Sequence, residues 1–181
     1  SQEERAEMEA YCKRYAAFMN ACKTEREATA WATAEAEKHG FKPAVHGMEV
    51  KPGDKIYLNN RGKSFLIAVV GTESLAKGAN ICAAHVDSPR LDLKPNPLYE
   101  DSELAFFKTH YYGGLRKYQW VTIPLELHGV VALKDGTTVQ VNLSADKGDP
   151  KLVIPAPVSS THTRAHETGN KHVTLISNQT K

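Results

Sequence analysis

Long apolar runs are scarce in this sequence of 181 residues. The two longest, Phe65–Val70 and Ile81–Ala84, fall far short of the roughly 20 residues a helix needs to cross a bilayer, so a helical membrane span is excluded. Charge of one sign is also missing. Lys and Arg total 23 against 21 Asp and Glu, a formal net charge of +2, and the two signs are interspersed. Without a basic stripe or an aromatic platform there is no footprint for nucleic acid. Cysteines number only three (Cys12, Cys22, Cys82), an odd count without zinc-ligand spacing. That argues against a disulfide scaffold and for reduced thiols in a cytoplasmic protein. Residues 1–10 have no apolar stretch of the kind a secretory leader carries, so none is expected. The chain begins at Ser1 rather than Met, which processing or an incomplete sequence would explain. There are no internal repeats.

What is present reads as globular. Hydrophobic residues make up 41% and charged residues 24%, enough for one ordinary domain, or one domain plus a piece of another. Met8, Tyr11, Cys12, Tyr15, Met19 and Cys22 recur at the spacing of an amphipathic helix, and Cys12 and Cys22 are read as core filler on that stripe. Lys23-Thr24 interrupts it. Thr24 followed by Glu27 is a capping-box signature and Gly40 sits where a helix-ending glycine belongs, so a second helix is predicted from about Glu25 to His39.

After Pro52-Gly53-Asp54 the texture changes. Lys55–Asn59 alternates, Asn60-Arg61-Gly62 makes a turn, and Ser64–Val70 and Asn80–Val86 are continuously apolar, as strands covered on both faces are. From Trp120 the period becomes two: Val121, Ile123, Leu125, Leu127, Val131 and Leu133 alternate with polar residues. Asp135-Gly136 marks a hairpin, and Val139, Val141 and Leu143 continue the alternation on the return strand. The fold class expected is therefore α/β, with a helical hairpin packed on a buried sheet and then an antiparallel β module. The switch between them is placed near residues 95–110. Residues 155–181, rich in Ser, Thr, Asn, Lys and His, show neither periodicity and are read as irregular or disordered.

The chemistry concentrates in Ile81-Cys82-Ala83-Ala84-His85-Val86-Asp87-Ser88-Pro89-Arg90. An apolar strand runs out into polar groups, the place where open α/β sheets build ligand sites. His85 and Asp87, two apart, share a side of an extended chain, so one can bind a metal while the other orients it. The plainer reading is that they cap a strand and bond to each other. One His is also not a metal site, since zinc takes three or four protein ligands.

The run His85-Val86-Asp87-Ser88-Pro89-Arg90-Leu91-Asp92-Leu93-Lys94-Pro95-Asn96-Pro97-Leu98-Tyr99-Glu100 resembles the first metal-site motif of the aspartyl aminopeptidase and aminopeptidase I family. Lys108-Thr109-His110-Tyr111-Tyr112-Gly113-Gly114, Lys117-Tyr118-Gln119-Trp120, Lys23-Thr24-Glu25-Arg26-Glu27 and Pro52-Gly53-Asp54-Lys55 are similar to it as well. The resemblance extends from near Tyr15 to about Pro150. It implies a zinc-dependent aminopeptidase that removes N-terminal residues, acidic ones in several relatives, from peptide substrates. Two zinc ions share a complete site in such enzymes. By the same resemblance His85 is a zinc ligand, and Asp87, the catalytic candidate, is the carboxylate that fixes its tautomer. Residues 1–100 become the first part of a zinc-exopeptidase-like α/β domain and residues 101–154 part of an inserted β-rich dimerisation domain, which implies a homo-oligomer.

The family's further ligands, a bridging Asp, a Glu beside a general-base Glu, another Asp and a final His, have no counterpart after Asp101. This chain alone is therefore expected to be inactive. Near Leu152 the sequence also departs from the family's apolar helical segment, because Pro155 and Pro157 oppose a helix and His162 is out of register. His162 and His166 before Glu167 read as a solvated tail rather than a metal pair. His39 is placed at a helix end, His128 on the polar face of a strand, and His110 in a loop turn; Arg90 is assigned an ion pair with Asp87 or Asp92 ahead of a substrate carboxylate. The alternative function is a non-catalytic oligomerisation or regulatory relative that binds through its β module.

Overall fold

The computed structural model describes residues 1–101, 103–154 and, as backbone, 171–176. The chain forms two compact units, residues 1–88 and residues 89–181.

The first unit opens with helix α1 (Gln2–Ala21), capped by Ser1, whose hydroxyl accepts from the Glu4 backbone. Helix α2 (Glu25–Lys38) starts on Thr24. The Thr24 Oγ1 accepts from Glu27 N at 3.3 Å and Glu27 Oε2 accepts from Thr24 N at 2.9 Å, a complete capping box. It stops at Gly40 (φ 81), where Phe41 N reaches Ala36 O and Gly40 N reaches Glu37 O, both at 3.0 Å. The Phe18 and Trp31 rings, 4.8 Å apart, tie the helices together. Strands β1 (Lys42–Pro43), β2 (Lys55–Asn60) and β3 (Ser64–Val69) form a sheet in that order, β2 and β3 antiparallel. Arg61 (φ 59) and Gly62 (φ 66) turn the hairpin in the left-handed region. Helix α2 lies on the sheet with its small residues Ala28, Thr29 and Ala36 buried, and Tyr57 Oη donates to Glu37 Oε1 at 2.6 Å.

The fold class is mixed α/β as the sequence predicts, but the cover expected on this unit is absent. Cys12 is exposed rather than core filler, and no residue of α1 is buried. Leu66, Ile67 and Val69 of β3 are 57%, 54% and 62% exposed, so neither face of that strand is covered among the described residues. Asn80–Val86 is no strand at all. Residues 78–89 have no regular structure, and Ile81 is 86% exposed. An apolar run becomes a strand only when a neighbour takes its N–H and C=O groups, and no described strand pairs with it.

The second unit is a sheet in the order β4 (Arg90–Asp101), β5 (Leu104–Tyr112), β9 (Lys171–Ile176), β8 (Lys151–Val153), with every pair antiparallel. The register slips between Leu93 and Leu98, where Pro95 and Pro97 supply no N–H and Asn96 takes φ 53. Leu152 and Ile154 form a small core against Leu91, Phe107, Trp120, Leu125 and Leu127. The segment after Trp120 is a strand only from Leu127; before it, Val121 and Leu125 make isolated bridges to Ile154 and Leu152. Strands β6 (Leu127–Ala132) and β7 (Thr138–Leu143) form the predicted hairpin over Asp135-Gly136. Two further readings are corrected. His110 lies inside β5, because its segment pairs with β4 (Asp92↔His110) instead of turning. Residues 171–176, read as irregular, are β9, held by pairing to both β5 and β8. His162, His166 and Glu167 lie outside the described residues.

Candidate metal-binding site

Pro89 has no N–H to give and follows a segment with which no described strand pairs, so the polar groups of His85 to Ser88 are left to water and to near neighbours. The His85 ring finds a near neighbour. Its Nδ1 lies 2.7 Å from the Asp87 carbonyl oxygen and 3.2 Å from Asp87 Oδ1. Both are acceptors, which places the proton of the neutral ring on Nδ1 and leaves the Nε2 lone pair outward. The ring is 81% exposed, against 34% for the Asp87 side chain. An imidazole steadied through Nδ1 by an oxygen, with Nε2 open, is the arrangement of a metal-ligating His and its supporting partner. The sequence-based pair is therefore together in space, though the shorter of the two contacts is to the main-chain oxygen.

Around the following strand start, Arg90 Nε donates to Asp92 Oδ1 at 2.8 Å and the guanidinium stacks over the Tyr112 ring at 4.3 Å, so the ion pair favoured from sequence is formed with Asp92. Gly113 (φ 75) packs on Pro89, and a Cβ there would meet Pro89 Cα at 3.4 Å. Sequence reasoning passed over this contact; the signal was the glycine pair closing Tyr111-Tyr112-Gly113-Gly114. His39 caps α2 as expected, with Nδ1 2.8 Å from Glu35 O. His128 Nε2 lies 2.9 Å from Glu126 Oε2, with the His side chain only 11% exposed.

Among the described residues no group of three or more His, Cys, Asp and Glu is placed to hold a metal ion. Zinc needs three or four protein ligands, so these residues offer it one imidazole nitrogen and do not make a site by themselves. None of the described helices is long and apolar enough to cross a membrane.

A family model described as aminopeptidase I zinc metalloprotease (M18) matches residues 18–175. A probable M18 family aminopeptidase 1 from Clostridium acetobutylicum is 51% identical over 141 residues, covering 76% of this chain and 30% of the relative. The crystal structure of aminopeptidase I from Borrelia burgdorferi B31 aligns with a TM-score of 0.83 and 39% identity over 100% of this chain and 43% of that one. An M18 family aminopeptidase structure from Thermotoga maritima aligns with a TM-score of 0.80 and 38% identity, covering 93% of this chain and 39% of the other. The chain thus spans about a third of the length of the curated relatives it matches, 30% and 34% of the first two.

Proposed function

This chain belongs to the aminopeptidase I zinc metalloprotease family, and from that premise we propose that it carries one ligand of a zinc centre that hydrolyses N-terminal residues from peptides. His85 supplies Nε2 to one zinc ion, and Asp87 holds the ring in the tautomer that makes this possible. The observation that carries the reading is the pair of Nδ1 contacts at 2.7 and 3.2 Å to Asp87, which leave Nε2 open. A complete centre of this kind holds two zincs, and the described residues provide one ligand nitrogen, so no hydrolytic step is assigned to this chain alone. Residues 1–100 act as part of the peptidase domain and residues 101–154 as part of a module for homo-oligomerisation.

Zinc titration of the purified chain tests this. No tight zinc and no hydrolysis of leucyl or aspartyl substrates are expected; two tight zincs with turnover overturn the single-ligand reading. A second reading, a non-catalytic relative that binds through its β module, is favoured by one feature. On the β6–β7 hairpin, Val131 pairs with Val139, and both are nearly half exposed on one apolar face with Leu133 and Leu143. A stable mixed oligomer with a full-length relative, without metal, is the result that supports it.

A further inference from the structure

Strand β4 begins at Arg90, and three residues of the second unit hold it and the preceding Pro89 in place. The Tyr112 ring centre lies 4.3 Å from the guanidinium carbon of Arg90, and the strand register sets the two residues opposite each other. Asp92, next on the same side of β4, accepts from Arg90 Nε at 2.8 Å. Gly113 follows Tyr112 and lies against Pro89, where a Cβ would sit 3.4–3.5 Å from three Pro89 atoms. Ring, carboxylate and glycine together make a clasp on the start of β4.

The link from this clasp back to Asp87 is short and stiff. Ser88 precedes a proline, which confines it to the extended region, and the Pro89 ring fixes its own φ. The placing of Pro89 and Arg90 therefore sets the direction in which the chain leaves Asp87. That direction bears on the metal-directed ring. The shorter His85 Nδ1 contact, 2.7 Å, is to the Asp87 carbonyl oxygen, with Asp87 Oδ1 at 3.2 Å. A main-chain acceptor is aimed by the backbone alone, with no rotamer of its own to adjust. The geometry points to Tyr112 as a positioning residue for the zinc-ligand pair: by holding Arg90 it keeps the Asp87 carbonyl on His85 Nδ1 and so keeps the proton off Nε2. The inference rests on the reading of His85 as a zinc ligand given above, and its effect on the ring is measured without metal.

Long-range proton–nitrogen correlation on the full chain distinguishes the two ring tautomers of His85, at about pH 8.5 where the imidazole is neutral. Tyr112→Leu takes the ring away from Arg90 and is expected to move the tautomer ratio roughly threefold toward the Nε2–H form, the scale of a part-exposed cation–π contact. Tyr112→Phe keeps an aromatic face and is expected to retain the parent ratio. Tyr111→Leu is the control, a change at the adjoining position on the opposite face of β5, and is expected to leave the ratio alone. An unchanged ratio in Tyr112→Leu overturns the inference. So does a Phe variant as impaired as the Leu variant, and so does an equal response to Tyr111→Leu, which would mark a general loosening of the strand pair. The ligand reading fails separately. If Tyr112→Leu acts as expected but zinc in large excess leaves the His85 Nε2 resonance unmoved, the positioning stands and the ligand assignment falls. A parent ring already mostly in the Nε2–H form removes both.

Discussion

In residues 1–88 the helix ends and the hairpin turn are settled by neighbours in sequence: Thr24 with Glu27, Ala36 with Phe41, Arg61 with Gly62. In residues 89–181 the sheet is settled at long range, with Phe106 paired to Thr174 and Leu152 to Leu175 around a small buried cluster. The first region has well-formed elements and open apolar faces, and buries Ala28, Ala36 and Tyr57; among the described residues the buried branched aliphatic side chains, Leu152 and Ile154, are in the second. Forming secondary structure and burying apolar surface are thus separable achievements. Capping and turn chemistry deliver the first, and packing between elements far apart in sequence delivers the second.

The largest expected effect is at the cluster. Leu152→Ala, at a residue 4% exposed, should cost about 2–4 kcal/mol in chemical denaturation monitored at Trp120. The contrast between the regions breaks if amide protection in α2 falls in step. Thr24→Ala should cost about 1 kcal/mol by removing the α2 capping box, read as faster exchange at the first turn of that helix. Gly113→Ala forces a Cβ into the left-handed region at φ 75 and onto Pro89, at about 1 kcal/mol, and should shift the amide resonances of Asp87 and Ser88. Asp87→Asn should lower the Nδ1–H tautomer population of His85, followed by long-range proton–nitrogen correlation. An unchanged tautomer would assign that role to the main-chain oxygen alone. The smallest effect is pH-dependent. The Asp135 carboxyl is held below its ordinary value of 3.8, first by the Thr137 hydroxyl and then by the Thr137 N–H. A lowered folded value means that its support of the β6–β7 turn is fully present above pH 3.8 and is lost as pH falls through that lower value. In Asp135→Ala the acid-side loss of hairpin protection should disappear.

Legibility in the sequence followed the same divide. Helix α2 could be read almost to the residue because its start and stop signals are chemical and adjacent. The Asp135-Gly136 hairpin was equally plain. Asn80–Val86 was misread because an apolar run encodes a need for neighbouring strands, not their presence. Residues 171–176 were missed because Val173 and Leu175 alternate within a stretch dominated by Ser, Thr, Asn and Lys, and because the strands that hold them lie far back in sequence. His85 and Asp87 were paired from spacing and family likeness, yet the contact through the Asp87 main-chain oxygen had no signal, since residue types two apart say nothing of where the Asp87 carbonyl turns. Gly113 meeting Pro89 depends on β4 and β5 pairing and could not be foreseen from either residue.

Strand β4 forms an outer border of its sheet among the described strands, and Pro95, Asn96 and Pro97 interrupt it midway. Two missing donors and a left-handed residue between them deny an incoming strand a continuous ladder along that border. Copies of this protein at high concentration are thereby discouraged from stacking border to border into fibrils, even though Leu93 and Leu98 on either side of the interruption are both partly open to solvent.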